Sequence, residues 1–331
     1  MQQTSWDVII VGGGSAGLSA ALMLGRSRRR VLVLDEGSPR NRFAGHMHGV
    51  LGRDHTSPLD LLADGRAELE RYEGVTVRGG IAVDARALDD AAEPGSTAEP
   101  NGRGPRVALE LADGERLHAR RLLVASGLRD ALPPVPGLAE QWGRGAFICP
   151  YCDGWEARDR RIAVLAASAA QVHQAQLMRQ LSVDVTFFAH GAELTAEARA
   201  GLIARGISVE DRAVAAVVAD DGGRLRGIRL VVGTELATDA IFAGPVPEPN
   251  DPVLRRLGAD RAPHPMGGEF VVVDAMGRTS VPGVWAAGNV TDPRSSVPFA
   301  MAAGSMAGAA INADLVEEEV RAALAASVRR G

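Results

Sequence analysis

The two cysteines of the 331-residue chain, Cys149 and Cys152, are separated by two residues. Thiols at this spacing can close a small, reversible disulfide, and the N-terminal one is commonly the nucleophile of lower pKa. Asp153 follows directly and is placed to move a proton to or from a thiol. Half of a zinc site and two inert buried cysteines are the alternatives. Structural zinc usually takes four Cys or His ligands, and the sequence offers no second C-x-x-C or H-x-x-x-H partner, so we expect no metal.

A glycine motif near the N-terminus, Gly12-x-Gly14-x-x-Gly17, could bind phosphate. In such a motif the first glycine allows a tight turn, the second lets a pyrophosphate approach the backbone, and the third allows close helix packing. The positive end of the following helix then faces the phosphate. Asp35 ends the next predicted strand, where a carboxylate accepts hydrogen bonds from a ribose, and we favour it over Glu36. Strand, glycine turn, helix and acid together predict a dinucleotide site.

Two strand–helix–strand patterns must position these motifs. The first runs through a strand at 7–11, a helix at 18–24 and a strand at 31–34, and the second starts with a strand at 162–165 and a helix from about 171. Short alternating strands follow each pattern and indicate β-meanders. We therefore predict an α/β fold with two Rossmann-like domains of the FAD/NAD(P)-binding type and β-meander insertions.

Strand character returns near the C-terminus, before a small-residue helix from about residue 298. This order predicts a discontinuous first domain, residues 1–130 and 246–331, interrupted by a second domain of residues 131–245 that carries the cysteine pair. Residues 89–105 are rich in Ala, Pro, Gly and Ser and are predicted to form a mobile hairpin tip.

Composition excludes several classes of protein. All 36 basic residues are arginine, so neither a P-loop lysine nor a lysine Schiff base exists, which excludes P-loop nucleotide hydrolysis and pyridoxal chemistry. A net charge of −5 with few aromatic residues gives no reason to expect a nucleic-acid partner. The N-terminus shows no signal-peptide pattern, and we expect no membrane-spanning helix and a cytoplasmic location. The acidic run Glu317–Glu319 is expected on a solvated helix face.

The chain resembles the low-molecular-weight thioredoxin reductase family of two-domain flavoproteins along nearly its whole length. The glycine motif carries this likeness, together with Ala125-Ser126-Gly127, residues 149–154 and residues 279–289. The resemblance implies FAD in the first domain, with Asn289 facing the ribityl chain where the family usually has Asp. The implied cofactor-binding residues are Gly12, Gly14, Ser15, Ala16, Gly17, Asp35, Glu36, Arg42, Val83, Ala125, Gly288 and Asn289.

The second domain departs from the family pattern. Members that use NADPH carry another glycine fingerprint after the strand equivalent to residues 162–165, and then a basic cluster. Here the turn, residues 166–171, reads Ala-Ala-Ser-Ala-Ala-Gln, and the next strand is followed by Ala-His-Gly-Ala-Glu at 189–193. Side chains in the turn would crowd a pyrophosphate, and Glu193 would repel a phosphate. We predict that this domain keeps its fold and has lost its nucleotide site.

A chain with a flavin site and a redox dithiol but no nicotinamide site is similar to the flavin-dependent dithiol oxidases that close disulfides in natural products of the holomycin and gliotoxin type. This likeness implies a homodimer that oxidises a small dithiol with dioxygen and releases hydrogen peroxide. Cys149 would meet the substrate, and Cys152 would face the flavin. A thioredoxin reductase-like disulfide reductase fed by NADPH or ferredoxin is one alternative, and a flavin-binding redox sensor without turnover is another.

The loop at residues 39–49 carries two histidines, His46 and His48, and should run towards the flavin ring. Imidazole titrates near neutrality, so His48 is our candidate for assisting deprotonation of a substrate thiol. Solvated loop histidines without a role are the alternative.

Overall fold

The computed structural model describes residues 5–88, 104, 106–169 and 171–328, so the predicted hairpin tip lies, apart from Gly104, outside the described residues. In chain order the strands are β1 (Ser5–Val11), β2 (Val31–Asp35), β3 (Val75–Gly79), β4 (Ala82–Ala87), β5 (Val107–Leu111), β6 (Arg116–Val124), β7 (Leu128–Ala131), β8 (Ala146–Phe147), β9 (Ile162–Leu165), β10 (Val185–Phe188), β11 (Ser208–Glu210), β12 (Val214–Ala219), β13 (Leu225–Leu230), β14 (Glu235–Ala237), β15 (Ala240–Ala243), β16 (Val246–Pro249), β17 (Arg261–Pro263), β18 (Glu269–Val271) and β19 (Val284–Ala286). The α-helices are α1 (Ser15–Arg26), α2 (Pro58–Leu69), α3 (Leu138–Gln141), α4 (Pro150–Asp153), α5 (Gln171–Met178), α6 (Ala196–Ala204), α7 (Pro252–Arg256) and α8 (Val297–Val328).

The chain divides into two compact units. Unit 1 comprises Met1–Arg40, Leu59–Arg129 and Glu248–Gly331, and unit 2 comprises Asn41–Pro58 and Asp130–Pro247. Residues 41–58 therefore lie with unit 2, whereas the sequence analysis assigned them to the first domain. Their partners explain this, since Phe43 packs on the backbone of Gly143. Such a contact spans about a hundred residues and leaves no local pattern in the sequence.

The sheet of unit 1 has the strand order β3-β2-β1-β6-β5-β4. Strands β1, β2, β3 and β6 are parallel, and β19 pairs in parallel with the C-terminal half of β6. The N-terminal half of β6 pairs instead with antiparallel β5, which starts the meander. Side chains alternate across the sheet, so Ile9 and Ile10 are both fully buried in two different apolar clusters. Apolar residues on both faces are what a sheet covered on both sides requires.

The C-terminal helix α8 packs on α1 in unit 1. The contact is close, because a Cβ built on Gly304 would lie 2.0 Å from the carbonyl oxygen of Ala16. Among the described residues, α8 is also long and apolar enough to cross a membrane, by length and composition alone. The sequence analysis predicted no helix of this kind. One face of α8, including Ala307, Ile311 and Leu315, contributes to the core of unit 1.

Helix α8 is also held by buried ion pairs. Glu318 accepts hydrogen bonds from Arg120 at 2.9 Å and from Arg121 at 2.5 Å, and all three side chains are buried. The expectation of a solvated acidic face is therefore wrong for Glu318. Arginines in the middle of β6 need a carboxylate once they are buried, and only the folded chain brings the two together.

Unit 2 has a second parallel sheet, in the order β11-β10-β9-β15-β8. An antiparallel meander, β12-β13-β14, accompanies it. The strands are short and almost completely apolar; β9 and β15 are buried at every position. The prediction of two Rossmann-like modules with meander insertions is confirmed.

Candidate functional site

The two cysteines form a disulfide in unit 2, with their Cα atoms 5.2 Å apart. Cys149 caps the short helix α4, in which Pro150 takes the first position and Cys152 the third. Proline at the first turn of a helix costs no backbone hydrogen bond and fixes the turn that brings the sulfurs together. Both cysteines are half-buried. Tyr151 and Trp155 beside them are 80% and 62% exposed.

Asp153, next to the second cysteine, has an unusual acidity. Burial, followed by the negative charge of Glu156, raises the pKa of its carboxyl to about 6, although His48 acts in the opposite direction. A carboxyl with a pKa near 6 is largely ionised at pH 7 to 8 and can still take up a proton within that range. The proton-transfer role of Asp153 stays a prediction, and the raised pKa of its carboxyl is compatible with it.

His48 lies between two carboxylates of unit 2. Its Nδ1 is 3.1 Å from Oδ1 of Asp54, and its Nε2 is 3.4 Å from Oε1 of Glu156. The His48 side chain is 13% exposed, so it is not a solvated loop histidine. His46 and His55 pack their rings on it. The ligand atoms of His46, His48 and Glu156 all lie within 4.8 Å of one another, a donor set that could hold a metal ion.

The predicted dinucleotide residues of unit 1 come together around the first glycine turn. Gly12 has a φ of 110°, and a Cβ there would lie 2.3 Å from the carbonyl oxygen of Ala125. A Cβ on Gly17 would meet the carbonyl oxygen of Gly12 at 1.9 Å. A Cβ built on Gly288 would lie 3.0 Å from the Cβ of Ala16, so these two residues are also in close contact. Three distant parts of the chain thus close on one turn.

The space above this turn fits a pyrophosphate. A Cβ on Gly14 would meet nothing within 4 Å, so the cradle is open. Helix α1 starts at Ser15 without a side-chain cap and without an acidic residue in its first turn. Its free N–H groups and its dipole therefore attract an anion. The turn has the shape and the charge that the phosphates of a dinucleotide need.

Asp35 already has partners inside the protein. One carboxylate oxygen accepts the N–H of Gly13 at 3.2 Å, and the other pairs with Arg66 at 2.5 Å. Glu36 is exposed. The Asp35 carboxylate thus closes the turn, and Arg66, from α2, keeps it in place.

Asn289 donates its amide hydrogens to the carbonyl oxygens of Asp292 and Ser295, at 3.0 and 2.9 Å. A carboxylate could not donate these bonds, which gives a local reason for Asn where the family has Asp. For two other candidates, a role in cofactor binding stays a prediction. Val83 is an exposed residue of β4, and Arg42 belongs to unit 2, where its guanidinium stacks on Phe43.

The second turn, in unit 2, is filled by its own chain. The side-chain oxygen of Gln171 accepts hydrogen bonds from the N–H groups of Ala167 and Ser168, at 3.2 and 2.8 Å. These donors belong to the turn that would face a phosphate in a working site. The Gln171 amide also packs against Gly244, because a Cβ built on Gly244 would lie 2.0 Å from the amide nitrogen of Gln171. The amide therefore stands where a pyrophosphate would bind.

Sequence reasoning missed several of these residues. Gln171 was noted only as part of a turn without glycine, although a glutamine at the first position of a helix can accept turn N–H groups. Arg66, Asp54 and Glu156 were not singled out at all. Their partners are distant in the chain or lie on an irregular loop, so no periodic pattern could have revealed them.

Comparison with known proteins places the chain in a family. Residues 6–307 match the family model described as pyridine nucleotide-disulphide oxidoreductase. Thioredoxin reductase tcpT of Claviceps purpurea is 30% identical over 94% of this chain and 95% of its own, and thioredoxin reductase sirT of Leptosphaeria maculans is 29% identical over 93% of each.

Solved structures give the same result. The crystal structure of HlmI has a TM-score of 0.90 and 40% identity, covering 98% of this chain and 97% of that one. An oxidoreductase from Agrobacterium tumefaciens has a TM-score of 0.84 and 36% identity, covering 95% and 99%. The resemblance to thioredoxin reductase-like flavoproteins is therefore confirmed. The chain belongs to the pyridine nucleotide-disulphide oxidoreductase family, and it is an oxidoreductase of thioredoxin reductase-like fold with FAD as its cofactor.

Proposed function

We propose that this flavoenzyme oxidises a small-molecule dithiol to a disulfide through Cys149 and Cys152, with dioxygen as electron acceptor and hydrogen peroxide as product. The observation that carries the proposal is the contrast between an intact disulfide and a second nucleotide turn occupied by Gln171. An enzyme that cannot seat NADPH must take its electrons from another donor, and a dithiol substrate is the donor that the Cys pair accepts.

The dithiol step is an exchange of sulfur bonds. A substrate thiolate attacks Cys149, the Cys149–Cys152 bond breaks, and a mixed disulfide forms with Cys152 as the leaving thiolate. The second substrate thiolate then attacks the mixed disulfide, which releases Cys149 and closes the substrate disulfide. Two electrons and two protons leave the substrate in this step. FAD, when bound, supplies the two-electron acceptor that restores the Cys pair and passes the electrons to dioxygen.

Asp153 accepts one of these protons. It follows Cys152 directly, and its pKa of about 6 leaves it largely ionised at neutral pH. Below about pH 6 the carboxyl is protonated and cannot act as a base, so the dithiol step slows as the pH falls through this value. His48 was predicted for the same task, and its place next to Glu156 keeps that prediction open.

The surroundings of the cysteines favour a small substrate. Both sulfurs belong to half-buried residues, and the exposed side chains of Tyr151 and Trp155 flank them in the chain. Aromatic side chains provide apolar contact area at low conformational cost, which suits a compact ring-bearing dithiol. The homodimer remains a prediction from the family resemblance, and the cytoplasmic location remains a prediction from the sequence pattern.

A second candidate function runs the same pair as a disulfide reductase fed by NADPH or ferredoxin. The names of the fungal relatives, which are thioredoxin reductases, favour it. It differs in the direction of electron flow and in its need for an external electron donor.

Anaerobic stopped-flow mixing distinguishes the two functions. We expect dithiothreitol to bleach the flavin of the holoenzyme rapidly, NADPH to bleach it at least about 100-fold more slowly, and the dithiol rate to fall below about pH 6. In air, each dithiol oxidised should yield one hydrogen peroxide. Cys149→Ser should abolish both the bleaching of the flavin by dithiothreitol and the formation of hydrogen peroxide. Rapid bleaching by NADPH, or dithiol consumption without peroxide, would contradict the proposal.

A further inference from the structure

Three histidines and a glutamate of unit 2 form a cluster of possible metal ligands. The ring centroids of His46 and His48 are 5.0 Å apart, and those of His48 and His55 are 4.5 Å apart. Glu156, three residues after α4 ends, brings its carboxylate to His48. Imidazole nitrogens with a carboxylate oxygen are the donors that divalent first-row transition metals prefer.

The hydrogen bonds of the cluster orient one ligand atom. Nδ1 of His48 lies 3.1 Å from Oδ1 of Asp54, and Nε2 faces Glu156. In the tautomer with its proton on Nδ1, Asp54 accepts this hydrogen bond and the lone pair of Nε2 is available to a metal ion. A carboxylate that holds a histidine in this way is the usual support of a metal-bound imidazole. Among the described residues, Nε2 of His48 and Oε2 of Glu156 are buried without a hydrogen-bond partner. Buried polar atoms of this kind are rare in folded proteins and call for a missing partner.

We propose that His46, His48 and Glu156 bind one divalent transition-metal ion of the zinc or cobalt type. Their ligand atoms already lie within 4.8 Å of one another. Tetrahedral coordination of zinc requires ligand atoms about 3.4 Å apart, so the three side chains must move closer together when the ion binds. His46 and Glu156 line a cavity of about 190 Å³ together with Asp153. The cavity leaves the fourth coordination position open to water or another small ligand.

The ligand types select the ion. Arg144 and Arg160 line the same cavity, but so do Asp153, Glu156 and Asp239, so the charges of the lining do not distinguish one divalent cation from another. Two imidazoles with one carboxylate favour the zinc or cobalt type over a hard cation such as Mg²⁺, which prefers oxygen ligands. A second triad, His48, Asp54 and His55, is mostly exposed and would use the His48 nitrogen already bonded to Asp54. The half-buried triad is therefore the site.

Occupation of this site affects the role of His48 in thiol chemistry. The Nε2 lone pair can bind a metal or accept a proton, but not both. With a metal bound, Asp153 is left as the proton acceptor near the cysteines. The metal site does not depend on the direction of electron flow, so it holds for an oxidase and for a reductase.

Calorimetric titration of tag-free, oxidised holoenzyme with Zn²⁺ and Co²⁺ tests the site. Its cysteines are bonded to each other and contribute no thiolate ligand. We expect one equivalent to bind, with cobalt absorption bands at longer wavelength than the flavin. His48→Asn should weaken metal binding at least about 100-fold. Asp54→Asn removes only the carboxylate that orients the His48 ring and should weaken metal binding about tenfold.

His173→Asn is the matched control, since this histidine lies on α5 outside the cluster. It should leave the affinity unchanged, and equal FAD content in all variants shows that each has folded. The proposal is overturned if no saturable one-equivalent binding occurs, if His48→Asn binds as the wild type does, or if His173→Asn loses affinity equally.

Discussion

The two Rossmann-like turns of this chain follow the same path from strand to helix and differ in what lies above them. Over the first, the Gly14 position is open and α1 starts without a side-chain cap. Over the second, the amide oxygen of Gln171 already accepts the turn N–H groups. The N–H groups of the first turn are open to a phosphate, and those of the second turn already bond to a neutral side chain.

This difference shows that a nucleotide-binding fold and a nucleotide-binding site are specified separately. Strands β9 and β15 are as completely buried as the strands around the first turn, because the fold depends on apolar residues in parallel strands. The site depends on a few residues of the turn. Those residues contribute little to the core, so they can change while the fold persists.

The largest effect should come from adding a side chain at Gly12, inside the first turn. Gly12→Ala forces a φ of 110° on a residue with a Cβ and drives that Cβ against the carbonyl of Ala125. Strain of about 3 kcal/mol would weaken FAD binding by at least about 100-fold. Gly14→Ala is the control, because its Cβ meets no protein atom, so it should fold normally and lose affinity only through contact with the cofactor.

The FAD content after gel filtration and the apoprotein melting temperature measure these two effects separately. A Gly12→Ala protein that keeps stoichiometric FAD would show that FAD binding does not depend on the close approach of Gly12 to Ala125.

An intermediate effect should follow from the helix behind the first turn. Glu318→Gln removes one of the four carboxylates that, among the described residues, pair with the buried Arg120 and Arg121, and we expect the free energy of unfolding to fall by about 2 kcal/mol. The neighbouring Glu317 is 65% exposed, and Glu317→Gln should change it by less than about 0.5 kcal/mol. Urea denaturation of both holoproteins is the measurement, and equal effects would refute the buried role of Glu318.

The smallest effect should come from opening the second turn. Gln171→Ala leaves the N–H groups of Ala167 and Ser168 without their acceptor and should destabilise the protein by about 1 kcal/mol. Gln171→Glu keeps an acceptor at the start of α5 and should be at least as stable as the wild type.

Neither Gln171 variant should give rapid flavin reduction by NADPH, because the other side chains of the turn remain. Thermal melting together with the stopped-flow assay tests both statements. Rapid reduction of the flavin by NADPH in the Gln171→Ala enzyme would mean that the Gln171 amide alone accounts for the difference between the two turns.

Much of the fold could be predicted from the sequence. Short β-branched runs followed by a turn and a helix predicted both modules, because strand and helix periodicities are local properties. The pairing of Cys149 with Cys152 was one of the alternatives left open by their spacing, and the structure contains it. Residues 41–58 and Glu318 were placed differently in the structure, because their positions depend on partners about a hundred or more residues away.

The sequence by itself determined the glycine motif, the two-residue spacing of the cysteines and the lack of glycine in the second turn. These are local features, and their physical meaning follows from backbone sterics and bond geometry. Only the tertiary structure showed that Gln171 occupies the second turn, that the half-buried Asp153 lies near Glu156, and that His48 lies between two carboxylates. The contacts and burial that decide these properties are set by the folded chain, since a side chain's charge state and ligands depend on what surrounds it in space.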